Sequence, residues 1–177
     1  MPDKVIKQKR YNNTMLFRME SEVPPVEPLR LKVEINCYEH FNVLGLQKVP
    51  FEIHNPWFDG KCEITTYALD ELVGTKLRAL YQRKKGRDLF DLQVALLSGK
   101  LDVQRVLASY RRYMEFVVDK APTYRQFIQN MEEKMQDDEF LSDMELLHRE
   151  DADGFNPIEA YEQVRAAFIE QFPGKRE

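Results

Sequence analysis

The chain has 177 residues, with 26 basic and 30 acidic side chains and a formal net charge of −4. This balance gives no reason to expect attraction of the whole protein to nucleic acid or to an anionic membrane, so any polyanion site must be local. Hydrophobic residues make up 43% of the chain, which is enough for a globular core, but no apolar run approaches the roughly 18 residues of a membrane span. Cys37 and Cys62 have no CxxC spacing and no histidine at ligand intervals, so we expect a soluble, cytoplasmic protein without a zinc site or disulfide framework.

The first third of the chain has the period of β-strands. Between residues 29 and 36 the apolar residues occupy odd positions and the polar residues even positions, which is typical of a half-buried strand. Residues 14–20 repeat the pattern more weakly, and the prolines between the two segments predict a loop. We therefore predict that these two strands pair in antiparallel fashion, and that 49–53 and 61–65 form a second hairpin around a turn at 56–60.

From Tyr67 onward the period is helical. Thr66 is a suitable N-cap for a first helix, and Gly86 precedes a second helix predicted over 88–97. The apolar stripe of the first helix is assigned to Leu69, Leu72, Val73, Leu77 and Leu80. The expected class is α+β, with antiparallel strands in the N-terminal third followed by a C-terminal helical bundle, predicted over 101–119, 122–136, 138–148 and 157–171.

Lys76 is the most informative single position. It follows Leu69 by seven residues and Leu72 by four, which places it on the apolar stripe of the first helix. An unpaired buried charge costs several kcal/mol, so the ammonium must extend outward along its own stem or meet an anion. A lysine that reaches solvent or forms an ion pair is the common outcome in an arbitrary helix, and a phosphate contact is the functional alternative.

Further cations follow Lys76 along the chain. Arg83 continues the same helical face, and Lys84, Lys85 and Arg87 crowd the turn after it. A local cationic patch of this kind is what a triphosphate or an RNA backbone needs. On charge alone, however, a solvated basic turn is the more common explanation.

Two acids begin the second helix. Asp88 and Asp91 lie three residues apart and therefore share one face. Acids in a first helical turn are common because they complement the helix dipole, which explains Asp88 better than Asp91. If the two helices form a hairpin across Gly86, we expect these carboxylates to face Lys76 or Arg83.

Lys32 and Glu34 lie two residues apart on a predicted strand, so both project from one face together with Arg30 and Asn36. A polar row of this kind is ordinary on a solvated sheet. Alternatively, Glu34 could complete a Mg²⁺ site whose other oxygen ligands come from a neighbouring strand. The sequence of the strand leaves both interpretations open. Trp57 and Phe58, after Pro56, are expected to plug the core.

The segment from Leu69 to Leu92 closely resembles the signature of a known family. Its distinctive part is the run Lys76-Leu-Arg-Ala-Leu80, followed by Arg83-Lys-Lys-Gly-Arg-Asp-Leu-Phe-Asp-Leu92. The run resembles the AbiEii/AbiGii toxin family, nucleotidyltransferases of bacterial type IV toxin–antitoxin and abortive phage-resistance systems. The similarity covers about residues 11–97, including the strand with Glu34.

The resemblance implies that nucleotide is transferred from an NTP to an acceptor, with tRNA as one candidate, using Mg²⁺. It implies Lys76, Asp88 and Asp91 as catalytic residues. It further implies nucleotide contacts from Lys76, Arg83, Arg87 and Lys32, and a metal ligand in Glu34. Residues 1–97 would form a partial nucleotidyltransferase core and 98–177 a helical region, and an antitoxin or a complementing chain would be the protein partner.

One part of the family pattern is missing from this sequence. The family's first motif is a Gly-Ser or Gly-Gly turn before a strand with paired aspartates, and the chain contains neither glycine pair. We therefore expect a truncated enzyme, or one piece of a split enzyme, with little or no activity alone. Two alternatives are a non-catalytic module that binds nucleotide, RNA or an antitoxin, and a plain helical scaffold.

Overall fold

A computed structural model describes residues 3–118, 120–143 and 154–173. In this part of the chain the strands come first and the helices follow, which confirms the predicted α+β class. The strands are β1 (Asp3–Lys9), β2 (Asn12–Glu20), β3 (Pro28–Asn36), β4 (Leu46–Asn55) and β5 (Phe58–Tyr67). The helices are α1 (Leu69–Gln82), α2 (Arg87–Leu97), α3 (Val103–Val117), α4 (Tyr124–Lys134), α5 (Asp138–Ser142) and α6 (Pro157–Ala167), and a 3₁₀ turn follows at Ile169–Gln171.

The chain divides into two compact units, Met1–Phe41 and Asn42–Glu177. The first unit contains a three-stranded antiparallel sheet in the order β1-β2-β3. The predicted pairing of β2 with β3 is confirmed, and both strands begin earlier than predicted. Strand β1 was not predicted, because its sequence DKVIKQK is mostly polar and charged and gives little alternation.

The register of this sheet places the charged side chains of β3 on one face together with a few apolar ones. Val5 lies opposite Leu16, and Leu16 lies opposite Lys32, so these three positions share a face. Arg30, Lys32 and Glu34 project from that face, as predicted from their spacing. Successive residues of a strand point to opposite faces, so the odd-numbered apolar positions of β3 lie on the other side.

The second unit begins with the hairpin β4–β5. The predicted pairing is confirmed, although both strands are longer than predicted and the turn is shorter. Asn55 closes it, since its side-chain oxygen accepts hydrogen bonds from the backbone N–H groups of Trp57 at 2.9 Å and Phe58 at 2.8 Å. The prediction that Trp57 and Phe58 plug the core is wrong. Trp57 is 90% exposed because it lies at the tip of the hairpin.

The helices of the second unit enclose its core. Leucines of α1 and α2 pack with aromatic residues of α3, α4 and the C-terminal segment. Tyr110 stacks on Phe172 with a centroid distance of 5.0 Å, and Phe127 meets the same ring edge-on at 5.3 Å. The fully buried side chains include Leu77, Leu80, Leu89, Leu92, Tyr110, Phe127, Met131 and Phe168. None of the described helices is long and apolar enough to cross a membrane.

Most predicted helices are present with shifted ends. The N-cap of α1 is Ala68 and not Thr66, which lies in β5. Each of the later α-helices begins after a polar N-cap whose side chain accepts a hydrogen bond from a backbone N–H group of the first turn. These N-caps are Asp102, Thr123, Asp137 and Asn156. The predicted helix 138–148 is observed as α5, and residues 144–148 of that prediction lie outside the described residues.

The buried face of α1 differs from the predicted stripe. Leu69 and Leu72 are exposed, whereas Asp70 and Glu71 are buried beside Val73. Glu71 accepts hydrogen bonds from the backbone N–H groups of residues 43 and 44, both at 2.8 Å, and from the hydroxyl of Tyr113 at 2.7 Å. These contacts satisfy the buried carboxylate and turn the helix away from the purely apolar orientation.

Candidate functional site

The candidate site is built around the turn between α1 and α2. Helix α1 ends at Gln82 and α2 begins at Arg87, so residues separated by one short turn come together. Gly86 lies in this turn with φ −60° and ψ −29°, a conformation open to any residue. Glycine is needed there for space, because a Cβ atom would overlap the backbone carbonyl oxygen of Phe140 in α5.

Asp88 is the anionic centre of the cluster. Its side chain is fully buried, and Arg83 binds it with two hydrogen bonds, from Nε to Oδ2 at 2.6 Å and from Nη2 to Oδ1 at 2.5 Å. This fork geometry is the strongest common form of charge pairing in proteins. The hydrogen bond to Asp88 raises the pKa of Arg83, and partial burial opposes the rise. The guanidinium of Arg83 therefore remains charged at neutral pH.

Lys76 contacts both acids of α2, as predicted. Its Nζ lies 2.5 Å from Oδ2 of Asp91 and 3.5 Å from Oδ1 of Asp88. The side chains of Lys76 and Asp91 are 39% and 42% exposed, so this end of the cluster opens to solvent. An ammonium has three N–H donors and a guanidinium has five. Lys76 and Arg83 therefore retain donors that an incoming anion could use.

The basic turn itself is held by the two acids that flank α5. Lys84 contacts Asp137, and Nζ of Lys85 lies 3.5 Å from Oδ1 of Asp143. The backbone N–H of Arg87 donates to Oδ2 of Asp143 at 3.2 Å, which places a carboxylate at the positive end of α2. The turn is thus neither a free cationic patch nor a fully solvated one.

Lys32 and Glu34 form a second, separate cluster in the first unit. Nζ of Lys32 lies 2.8 Å from Oε1 of Glu34, and both side chains are about half exposed. They line a concavity of about 290 Å³ on the β1–β2–β3 sheet together with Val5, Lys7, Lys9, Thr14, Leu16 and Arg30. The cationic character of this face comes partly from β1, which was not predicted.

The described residues do not by themselves fit a Mg²⁺ site. Among residues 3–118, 120–143 and 154–173 there is no group of three His, Cys, Asp or Glu side chains that could hold a metal ion. Glu34 is engaged with Lys32, and Mg²⁺ requires near-octahedral oxygen coordination. Asp151 and Asp153, a further acidic pair in the sequence, lie outside the described residues.

Two residues near the turn carried no functional signal in the sequence. Lys134 of α4 is only 7% exposed, and its Nζ donates to carbonyl oxygens at the end of α1. Asp143 reaches the start of α2 from 56 residues away. Glu71, in the first turn of α1, lies inside the recognisable motif, but its burial was not predicted.

Comparison with known proteins gives one match. A family model described as "Nucleotidyl transferase AbiEii toxin, Type IV TA system" matches residues 2–169, a longer stretch than the 11–97 estimated from the motif. No curated protein and no solved structure matches the chain.

Proposed function

Because the chain belongs to the AbiEii nucleotidyltransferase toxin family of type IV toxin–antitoxin systems, we propose that it acts in the transfer of a nucleotide from an NTP to an acceptor, with tRNA as the first acceptor to test. One observation supports a nucleotide site at the α1–α2 turn. Lys76 lies between two carboxylates, 2.5 Å and 3.5 Å away, and is still partly exposed to solvent. The cation is therefore held in place before any phosphate arrives.

The cluster would act by positioning positive charge. Nucleotidyl and phosphoryl transfers depend mainly on alignment of the phosphates and on neutralisation of their charge. Lys76 and Arg83 would donate their remaining N–H groups to the phosphates, with Arg87 as a third cation at the start of α2. Asp88 and Asp91 would hold the first two cations at a fixed separation. Because these side chains are already ordered, they would lose little conformational freedom when the nucleotide binds.

The sheet cluster supplies two further candidate residues within the first unit. In this proposal Lys32 would contact the nucleotide, and Glu34 would be a residue that holds Mg²⁺, which neutralises phosphate charge when bound. Mg²⁺ needs more oxygen ligands than one carboxylate offers, and the others would come from phosphate oxygens, water or a complementing chain. We accordingly expect this chain alone to bind NTP but to transfer little or no nucleotide.

The family description also supports a protein partner. A type IV toxin is paired with an antitoxin, and we propose that this chain has one, acting in the cytoplasm. The whole chain has a net charge of −4, so it does not attract nucleic acid as a whole and any attraction must come from local basic clusters. An RNA acceptor would therefore be recognised at particular basic clusters and would dissociate as salt is raised.

The test is a binding and transfer assay on the full chain. The purified protein is incubated with Mg²⁺, each labelled NTP in turn and total tRNA, and NTP binding is measured in parallel. Lys76→Ala is compared with Lys100→Ala, a matched control at an exposed lysine after α2. Loss of one charge-assisted contact should weaken NTP binding by about 10- to 100-fold in the first variant and leave it unchanged in the second.

Each outcome has a definite meaning. NTP binding that depends on Lys76, without label transfer, is the expected result for the chain alone. Label transfer that Lys76→Ala abolishes would show a complete active site and overturn the expectation of inactivity. No NTP binding by the unaltered chain would overturn the nucleotide site and leave a scaffold.

A further inference from the structure

A buried lysine lies directly beneath the candidate site. Lys134, the last residue of α4, is 7% exposed, and its Nζ donates hydrogen bonds to the backbone carbonyl oxygens of Leu80 and of Tyr81, the latter at 2.9 Å. These carbonyls belong to the final turn of α1, where helical carbonyls have no partner within the helix. The last turn of α1 contains no basic residue of its own. Lys134 therefore places a positive charge at the negative end of the helix dipole, where a cation is stabilising.

The position is an expensive one for a lysine. Burial disfavours the charged form and lowers the pKa of Lys134 to about 8, and the negative charge of Asp88 acts in the opposite direction. The ammonium is still protonated at pH 7. Among the described residues, its charge is balanced by two carbonyl dipoles and by the field of Asp88, which also receives Arg83 and Lys76.

We propose that Lys134 is a positioning residue for the nucleotide site at the α1–α2 turn. It fixes the carbonyls of Leu80 and Tyr81, and these residues lie three and two positions before Arg83 in the chain. The direction in which the chain leaves α1 decides whether the guanidinium of Arg83 meets both oxygens of Asp88. The positive charge of Lys134 also offsets the buried charge of Asp88. This inference rests on the proposed function only where it refers to nucleotide.

A simple helix cap would behave differently from a positioning residue. Loss of a cap lowers the stability of the whole helix, and the remaining folded molecules keep their site intact. Loss of a positioning residue changes the site within the folded molecules themselves. The hydrogen bond from Nε of Arg83 to Asp88, at 2.6 Å, reports on this directly, because its N–H signal in a proton–nitrogen NMR spectrum exchanges slowly only while the bond is formed.

The experiment compares Lys134→Met with Lys100→Met in the full chain. Methionine keeps an unbranched stem and removes the charge, and Lys100 is an exposed control. The Arg83 Nε signal, assigned with Arg83→Lys, and the affinity for MgATP are measured below the unfolding transition. In Lys134→Met we expect loss of the slow exchange at Arg83 and MgATP binding weaker by about tenfold or more. Lys100→Met and Lys134→Arg, which keeps a charged donor, should show neither change.

The outcomes separate this inference from the proposed function. A folded Lys134→Met protein with an unchanged Arg83 signal would overturn the positioning role, whatever its affinity for MgATP. If the unaltered chain does not bind MgATP, the proposed nucleotide site fails, and the Arg83 signal still tests the positioning role. If Lys134→Met does not fold, Lys134→Gln takes its place, because its amide can donate to a carbonyl but has no charge. An intact Arg83 signal in Lys134→Gln would equally overturn the proposal.

Discussion

The α1–α2 cluster and the β1–β2–β3 sheet face use the same residue types in different surroundings. In the helical cluster Asp88 is fully buried, and its partners Arg83 and Lys76 reach it at 2.5 and 3.5 Å. On the sheet face Lys32 and Glu34 lie 2.8 Å apart, but both are half exposed. Water screens the second pair and cannot reach the carboxylate of the first. Contact distance alone therefore does not determine the contribution of an ion pair to stability or to preorganisation.

The sharpest test of this contrast is Arg83→Met. The substitution removes both hydrogen bonds to a carboxylate that water cannot reach, and it leaves Lys76 as the remaining direct cation. We expect the free energy of unfolding in denaturant to fall by about 3 kcal/mol. Arg87→Met, at an exposed arginine four residues later, is the matched control and should have an effect within about 0.5 kcal/mol. Equal effects of the two substitutions would remove the distinction between the buried and the exposed cluster.

The second test concerns the close approach of the turn to α5. Gly86→Ala should cost about 1–3 kcal/mol in the free energy of unfolding, because the added Cβ overlaps the carbonyl oxygen of Phe140. Gly99→Ala separates crowding from backbone strain. Nothing lies within 4 Å of a Cβ at Gly99, but its φ is +66°, so the substitution there should cost about 1 kcal/mol. A cost at Gly86 no larger than that at Gly99 would contradict the close packing of α5 on the turn.

The third test uses the pH dependence of stability. The pKa of Lys134 falls from 10.5 in the unfolded chain to about 8 in the folded protein, through burial. Between these two values the unfolded chain binds a proton at this residue that the folded protein does not. Stability attributable to Lys134 therefore rises with pH across this window and is lost as pH falls through about 8.

The measurement is the difference in unfolding free energy between the unaltered protein and Lys134→Met, taken at several pH values. This difference cancels the tyrosines Tyr110 and Tyr161, whose pKa values burial raises and which act in the opposite direction above pH 10. We expect the difference to shift in favour of the unaltered protein as pH rises. A flat difference would show that Lys134 is as solvated as an exposed lysine. Lys100→Met should give such a flat profile.

The smallest effect is expected at the sheet face. Lys32→Ala removes a half-exposed ion pair and should change the free energy of unfolding by less than about 1 kcal/mol at low salt. Added salt should reduce the effect further, because screening at 1 M acts within about 3 Å. A large, salt-independent loss on Lys32→Ala would mean that this pair is as protected as the helical cluster, and the comparison would fail.

The contacts that could be predicted from the sequence are those between residues close along the chain. Lys76 and Asp91 lie 15 residues apart on two helices joined by a short turn, and this connection was enough to predict that acids of α2 meet a cation of α1, although the stripe assigned to α1 was wrong. The antiparallel pair β2–β3 was predictable for a similar reason, because alternation identifies the strands and a short loop joins them. Strand β1 was not predicted, because a mostly polar strand has no alternation of polar and apolar residues to detect.

The contacts that could not be predicted come from distant parts of the chain. Lys134 reaches α1 from 54 residues away and Asp143 reaches α2 from 56. Nothing in the local pattern of α4 distinguishes Lys134 from a solvent-exposed lysine at the end of a helix, where a basic residue is favoured anyway. The dependence on distant partners also explains why the buried face of α1 was predicted wrongly. Glu71 is buried because it has hydrogen-bond partners in a preceding loop and in α3.

The sequence by itself determined the α+β class and the family motif, and it predicted that Asp88 and Asp91 face Lys76 or Arg83 if the two helices form a hairpin across Gly86. These follow from periods of two and 3.6 residues and from short connections, which leave few ways to arrange neighbouring elements. The tertiary structure alone decided which of these charges water can reach, and which distant residues support them. Burial is a property of the assembled core, and in this protein it makes Asp88 an enclosed anchor for Arg83 while Glu34 remains on an open face.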